Sequence, residues 1–147
     1  MTSIAVAMFF MLTGIAVLHI LWALGSRWPA RNERELVAQV IGRKGMRQMP
    51  PPLQCALAGF AIFLAGVVAL IVSGFLIVPL PSMAITLLGF VAAAIFGLRG
   101  LAAWHPAWRD AFSQEPFATM DRTKFGPLCL LFAVCFFALS MRRLGYF

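Results

Sequence analysis

The amino-acid sequence predicts an all-α membrane protein with four transmembrane helices in a single domain, residues 1–147. Of the 147 residues, 62% are apolar and only 12% are charged, and the mean hydropathy is +0.91. Soluble domains carry about 25% charged residues, so this composition excludes an ordinary soluble domain, a disordered chain and a disulfide scaffold. The apolar residues also fall into four long stretches. Because backbone polar groups in lipid must be satisfied internally, such stretches form helices rather than open strands.

Four stretches meet or approach the roughly 20 apolar residues that a helix needs to cross a bilayer. They cover about residues 4–24, 55–77, 83–104 and 127–144. Pro79 and Pro81 separate the second and third spans, because proline lacks a backbone donor and stops a helix. Gly126 and Pro127 open the fourth span, where proline suits the first helical turn.

The basic residues indicate the orientation of these spans. Ten of the twelve Lys and Arg residues lie in loops one and three or near the end of span three, and only Arg142 and Arg143 lie on the other side. The positive-inside rule then makes loops one and three cytoplasmic and places both termini outside. Because the basic residues flank membrane spans, the net charge of +7 favours anionic lipids as partners rather than nucleic acid.

Loop one contains a pattern typical of a short surface helix. Asn32 is a helix cap, Glu35 completes a capping box three residues later, and Gly42 can end the helix. Its apolar residues share one face; they are Leu36, Val37, Val40 and Ile41. We expect this helix to lie in the headgroup plane. It either anchors and caps the bundle or docks a partner or an anionic lipid.

Few polar side chains lie inside the predicted spans, which contain no Asp, Glu, Lys, Asn or Gln. This disfavours a proton-coupled exporter, which needs an intramembrane carboxylate or an equivalent relay. Arg99 lies about one turn from the cytoplasmic end of span three. It either snorkels to the interface or holds an anionic head group or a carboxylate such as Asp121.

His19 lies inside span one, and Trp22 follows at i+3 on nearly the same face. The simplest interpretation is a histidine hydrogen-bonded within the bundle, and contact with a small molecule is the alternative. A weaker alternative is haem ligation by His19 and His105, which requires adjacent helices with both rings turned inward. No metal site is otherwise expected, and no cofactor is predicted, with haem or quinone as the alternative.

Small residues recur at every fourth position on two spans, which lets helix backbones approach closely in lipid. The two ladders are Ala61, Ala65 and Ala69 on span two, and Gly89, Ala93 and Gly97 on span three. We expect the two spans to pack on each other as a hairpin through these ladders. In the alternative, one ladder meets another protein.

Three segments resemble the signatures of a family of small bacterial membrane proteins that is known only as a domain of unknown function with four helices. They are Leu18–Gly25, Leu98–Gly100 and Phe117–Leu130. The resemblance implies the same topology and a place in the bacterial inner membrane, but no activity. The matching positions that imply a site are His19, Trp22, Arg99, Asp121 and Cys129. This chain has Phe125 and Gly126 where the family usually has Tyr and Ser, so it lacks that phenol and hydroxyl.

Three functions are compatible with the sequence. The first is a non-catalytic accessory or scaffold subunit of a larger membrane complex, or a homo-oligomer, which the small size and the close-packing faces favour. The second is a binding protein for a lipid, a quinone or another apolar molecule, which would use the predicted site at the cytoplasmic leaflet. The third is a membrane enzyme that uses the same residues, although they form no recognised catalytic constellation.

Overall fold

A computed structural model describes residues 1–146, and these residues contain seven α-helices and no strand. The helices are α1 (Thr2–Ala23), α2 (Glu33–Val40), α3 (Pro52–Val72), α4 (Ser82–Ala102), α5 (Pro106–Ala111), α6 (Phe117–Met120) and α7 (Gly126–Arg143). A π-helical turn, Asp121–Phe125, joins α6 to α7. The resulting 27-residue helix, Phe117–Arg143, is called the fourth span. The fourth span, α1, α3 and α4 are long and apolar enough to cross a membrane, which confirms the predicted all-α fold of a multi-pass membrane protein.

The four spans are arranged as two closely packed pairs. The closest packing joins α1 to α3 and α4 to α7, whereas α3 touches α4 over a much shorter stretch. Gly89 is buried, and its backbone faces Ser140 of α7 and Val72 at the end of α3. Gly97 faces Ala133 of α7. The prediction that the ladders of spans two and three pack on each other is therefore wrong, because the α4 ladder meets mainly α7.

The ladder of α3 is not uniformly buried either. Ala69 is fully buried in the core, Ala65 is half-buried, and Ala61 is exposed. The α3 residues that approach α1 are instead Gly59 and Gly66, seven positions apart. Seven residues correspond to almost two helical turns, so both glycines lie on the face of α3 that meets α1.

The two ends of the bundle have different interiors. The basic end is the end that carries loops one and three, where α1 and α4 finish and α3 and the fourth span begin. In the half of the bundle away from it, all four spans share one apolar core. Its members are Ala5, Met8, Leu12, Ala69, Val72, Ile85, Phe132, Phe136 and Leu139. In the basic half, the buried positions on the spans are mostly small residues, including Ala16, Gly59, Gly100 and Ala103.

The bounds of two spans differ most from the sequence prediction. Helix α3 begins at Pro52 and ends at Val72 rather than spanning 55–77, because the chain turns at Gly74 with φ +79°. The fourth span begins ten residues before the predicted start at Pro127. Its polar segment Asp121–Lys124 resembles a loop in sequence. The segment is nevertheless helical because the Gly126 N–H bonds the Asp121 carbonyl across the π turn, which leads the helix into Pro127.

Loops one and three form a single folded cap over the basic end. The Asn32 carboxamide accepts a hydrogen bond from the Glu35 N–H at 2.9 Å, as the capping box predicts. Leu36 and Val37 are fully buried. The apolar face of α2 therefore packs against the protein, and α2 is part of the cap. Gly42 follows α2 with φ +66°, and its backbone lies against the Phe117 ring, which leaves no room for a side chain.

Candidate functional site

A charged cluster of three side chains, Arg99, Trp108 and Asp121, lies at the basic end between α4 and the fourth span. The Arg99 Nη2 atom donates to the Asp121 Oδ1 atom at 2.6 Å. The Trp108 indole N–H donates to the second carboxylate oxygen, Oδ2, at 2.9 Å. The Arg99 guanidinium also lies over the Trp108 ring, 4.9 Å from the ring centroid, a distance at which cation–π attraction is appreciable. Each of the three groups therefore contacts the other two.

Burial makes this cluster a structural anchor. The Asp121 side chain is only 4% exposed, whereas that of Arg99 is 32% exposed. A buried carboxylate is tolerated when its oxygens are paired and hydrogen-bonded, and both oxygens of Asp121 are engaged. Within the cluster, Arg99 Nη1 is buried and makes no hydrogen bond to the residues that the structure describes.

Close backbone contact positions the cluster. A Cβ atom at Gly100 would lie 2.7 Å from the Leu130 side chain and 3.0 Å from its backbone nitrogen. A Cβ atom at Gly126 would lie 2.9 Å from the Ala103 Cβ. Only glycine allows α4 and the fourth span to approach this closely next to Arg99 and Asp121. The π turn in turn begins at Asp121, and such turns frequently occur at functional sites.

The predicted site residues divide between the two helix pairs. The structure brings Arg99 and Asp121 together in an ion pair, and Cys129 is half-buried in the first turn of α7. His19 and Trp22 belong to α1 instead. The His19 Nδ1 atom is 2.8 Å from the Ile15 carbonyl oxygen, and the His19 Cβ packs against Gly59 of α3. The five residues therefore do not line one common site.

The Trp22 ring lies 5.0 Å from the His19 ring, on the same face of α1 as predicted. The Trp22 indole donates to the Trp28 carbonyl at 2.8 Å, so it fastens the end of α1 to loop one. His105 is exposed at the start of α5, beside α4. The condition for haem ligation by His19 and His105, two adjacent helices with both rings turned inward, is not met. Across residues 1–146, no group of three or more His, Cys, Asp or Glu side chains is placed to hold a metal ion.

A shallow groove of about 540 Å³ opens beside the charged cluster, between the end of α4 and α5. Leu98 and Leu101 of α4 form one side, and Ala107, Trp108 and Ala111 of α5 form the other. We call it the α4–α5 groove. Trp108 lines the groove, and its indole also donates to Asp121. The groove and the charged cluster therefore share this side chain.

Sequence reasoning missed the two features that build this region. The predicted site does not include Trp108, whose indole N–H fixes Asp121 in the structure. Gly100 entered the prediction only as part of a resembling segment and Gly126 only as the start of the fourth span, whereas both set the helix spacing. The signal for Trp108 is its place in a polar loop next to a predicted ion pair, since a buried indole N–H generally finds an acceptor.

Comparison with known proteins gives one match. The family model described as "Protein of unknown function (DUF3995)" matches residues 12–136, which include the charged cluster and all or most of each span. No curated protein and no solved structure matches the chain.

Proposed function

We propose a function from the geometry of the chain itself, because the chain belongs to the family of proteins of unknown function (DUF3995), whose description names no activity. We infer that it is a non-catalytic accessory or scaffold subunit of a larger complex in the bacterial inner membrane. A charged cluster whose carboxylate is held by two neighbouring side chains, together with folded loops, suits a protein that presents a surface better than one that transforms a substrate.

The proposed orientation has the basic end in the cytoplasm and both termini outside. Ten of the twelve Lys and Arg residues support it, by the positive-inside rule. Two single-cysteine variants in a background without the native cysteines test it, Arg31→Cys and Tyr146→Cys, both at exposed positions. A membrane-impermeant maleimide applied to intact cells should label only the Tyr146→Cys variant. Labelling of Arg31→Cys without permeabilisation would reverse the proposed orientation.

The main support for the scaffold proposal is that hydrogen bonds join loops one and three into one folded cap. The Lys44 N–H donates to the Ala111 carbonyl at 2.9 Å, and the Gln114 N–H donates to the Gly42 carbonyl at 3.0 Å. The Gln114 side chain also donates to the Met46 carbonyl at 3.4 Å. A surface that is folded before binding loses less entropy when it meets a partner.

The cap presents a positive surface. Its exposed basic residues in loop one are Arg27, Arg31, Arg34, Arg43, Lys44 and Arg47. Such a surface attracts an acidic partner or an anionic membrane surface. An acidic cytoplasmic segment of a membrane-protein partner is therefore the occupant that we propose for the scaffold role.

The test is the native mass of the particle after extraction in a mild detergent or a nanodisc. We expect a mass above 16.1 kDa by the mass of a second polypeptide, which mass spectrometry then identifies. Combined replacement of Arg43, Lys44 and Arg47 by Gln should remove this excess. The matched control replaces Arg142 and Arg143 by Gln at the opposite end and should retain it.

Other masses distinguish the remaining interpretations. An integral multiple of 16.1 kDa in the wild type indicates a homo-oligomer. A monomer without any excess contradicts the scaffold proposal. Equal loss of the second polypeptide in both charge variants contradicts the role of the cap, because it assigns the effect to net charge alone.

A second candidate function is the binding of an apolar molecule, such as a lipid or a quinone, at the basic end. The α4–α5 groove favours it, since its lining residues are apolar apart from His105. Because His19 and Trp22 lie on the other helix pair, this binding would use the groove instead of the five residues that the sequence predicted. A particle mass raised by the mass of one lipid or quinone would support it.

A further inference from the structure

The α4–α5 groove opens onto the membrane-facing surface of α4. Leu98 and Leu101 form its α4 side and are 71% and 60% exposed. They continue the exposed apolar face of α4, on which Ile95 is 61% exposed. The volume of about 540 Å³ falls within the usual range of small-molecule sites, about 300–1,000 Å³. A molecule could therefore enter sideways from the bilayer without crossing the polar cap.

The α5 side of the groove is preorganised. Ala107 and Ala111 lie one turn apart on α5 and line the groove. The Trp108 ring stacks on the Phe112 ring with centroids 4.1 Å apart. Asp121 and Arg99 also contact the same indole. The groove therefore does not need to form when a ligand arrives, which reduces the entropic cost of binding.

Positive charge lies next to the apolar walls. Arg109 follows Trp108 on α5 and is exposed, and Asp110 is the one acidic residue of that helix. The hydrogen bond from the Lys44 N–H to the Ala111 carbonyl, at 2.9 Å, places Lys44 of loop one beside the groove. The Lys44 side chain is exposed. An apolar slot beside two cations matches a molecule with an apolar chain and an anionic head.

We propose that the α4–α5 groove holds one acyl chain of an anionic phospholipid whose phosphate lies against Lys44 and Arg109. This inference rests on the second proposed function and specifies its ligand. A quinone would use the apolar walls but not the cations. A phospholipid uses both, and the open side of the groove faces the bilayer that supplies it.

The test compares phosphatidylglycerol with phosphatidylcholine of identical acyl chains. The full-length protein is purified in detergent, incubated with each lipid, and examined by native mass spectrometry for the bound fraction. We expect wild-type protein to retain phosphatidylglycerol at least about fivefold better. Lys44→Gln and Arg109→Gln should each reduce that preference about fivefold, the effect of one basic residue near an anionic lipid surface. Arg34→Gln, an exposed arginine on α2, is the matched control and should leave it unchanged.

A second set of variants tests the groove itself. Ala107→Trp fills the space and should reduce retention of both lipids about tenfold, because about two acyl methylenes lose their contacts. Ala61→Trp, at an exposed position on α3, should have no effect. Unchanged retention in Ala107→Trp, or equal loss in Ala61→Trp, overturns the groove and the second function together. Equal retention of the two lipids by wild-type protein overturns only the anionic specificity.

One measurement needs no substitution. A phosphatidylglycerol with a photoreactive group on its acyl chain is incorporated into nanodiscs with the wild-type protein. Photolysis should label residues of the segment Leu98–Phe112 at least about fivefold more than the equally apolar exposed face of α3. Even labelling of all membrane-facing helices would overturn the proposal, including in the case that the Ala107→Trp variant fails to fold.

Discussion

The two halves of the bundle are stabilised by different kinds of contact. Away from the basic end, the spans meet around large apolar side chains, and Phe136 and Leu12 are fully buried there. At the basic end, stability comes from glycine contacts within each helix pair, one buried ion pair and hydrogen bonds between two loops. Lipid chains are as apolar as leucine, so packing and interhelical polar contacts drive helix association in a membrane. The half away from the basic end is held by apolar packing. The basic half combines packing with polar contacts, and these contacts also shape the cap.

Stability of the fold and the proposed binding should depend on different halves of the bundle. Side chains of all four spans pack together in the core, whereas in the basic half the close glycine contacts lie within each helix pair. The cap then connects the pairs through backbone hydrogen bonds between loops one and three. Substitutions in the core should therefore affect the whole fold, and substitutions in the cap should affect mainly the surface that we propose for binding.

The largest expected effect is that of Phe136→Ala. Phe136 is fully buried and packs on Phe96 with ring centroids 5.7 Å apart. Loss of a buried phenylalanine costs about 3–5 kcal/mol because a cavity remains. Unfolding by SDS in mixed micelles, followed by circular dichroism, measures the change. The control is Phe137→Ala, at a neighbouring position that is 52% exposed. It should cost less than about 1 kcal/mol, and equal losses would contradict a packed core at this end.

The next effect is that of Asp121→Ala, which leaves the Arg99 charge without its partner. Removal of one member of a buried ion pair costs about 3–5 kcal/mol, and we expect the lower value because Arg99 is 32% exposed. The same SDS titration measures it.

The matched control for this variant removes both charges. Replacement of a buried pair by apolar residues of similar size is often neutral. The double variant Arg99→Met with Asp121→Leu should therefore recover at least half of the lost stability, even though the Trp108 indole N–H stays unpaired. If the double variant is less stable than Asp121→Ala, the ion pair contributes more than charge compensation.

Gly100→Ala has a smaller effect, about 1–2 kcal/mol, typical of an overpacked site. The added Cβ would lie within 2.7 Å of the Leu130 side chain, so α4 and the fourth span must separate slightly. Gly97→Ala is the control on the same helix, since its Cβ would lie 3.7 Å from Ala133. There the gain in helix propensity should make the variant neutral or slightly more stable. A stabilising Gly100→Ala would show that the two helices are not in close contact.

The sequence was sufficient for features that depend on local pattern. Helix α2, its cap at Asn32 and its end at Gly42 follow from residue types at fixed offsets. The possible partnership of Arg99 with Asp121 followed from charge, because a buried cation needs an anion. Helix pairing did not follow, since a ladder such as Gly89–Gly97 indicates close approach without identifying the partner. The predicted start of the fourth span was also wrong, because the polar segment Asp121–Lys124 has the composition of a loop. In the structure Arg99 compensates the charge of Asp121, and the segment is helical.

The smallest effect, Asn32→Ala, tests whether the two halves are separate units of stability. Loss of a helix cap costs about 1 kcal/mol, and here the lost bond is that from the Glu35 N–H at 2.9 Å. Hydrogen exchange should become faster across α2, whereas Asn32→Asp, which keeps an acceptor, should resemble the wild type. Exchange in the core segment around Phe136 should not change, because opening of α2 leaves the shared apolar core closed. If exchange accelerates in both places, the cap and the core unfold together, and the basic end is a continuation of the bundle rather than a separate surface.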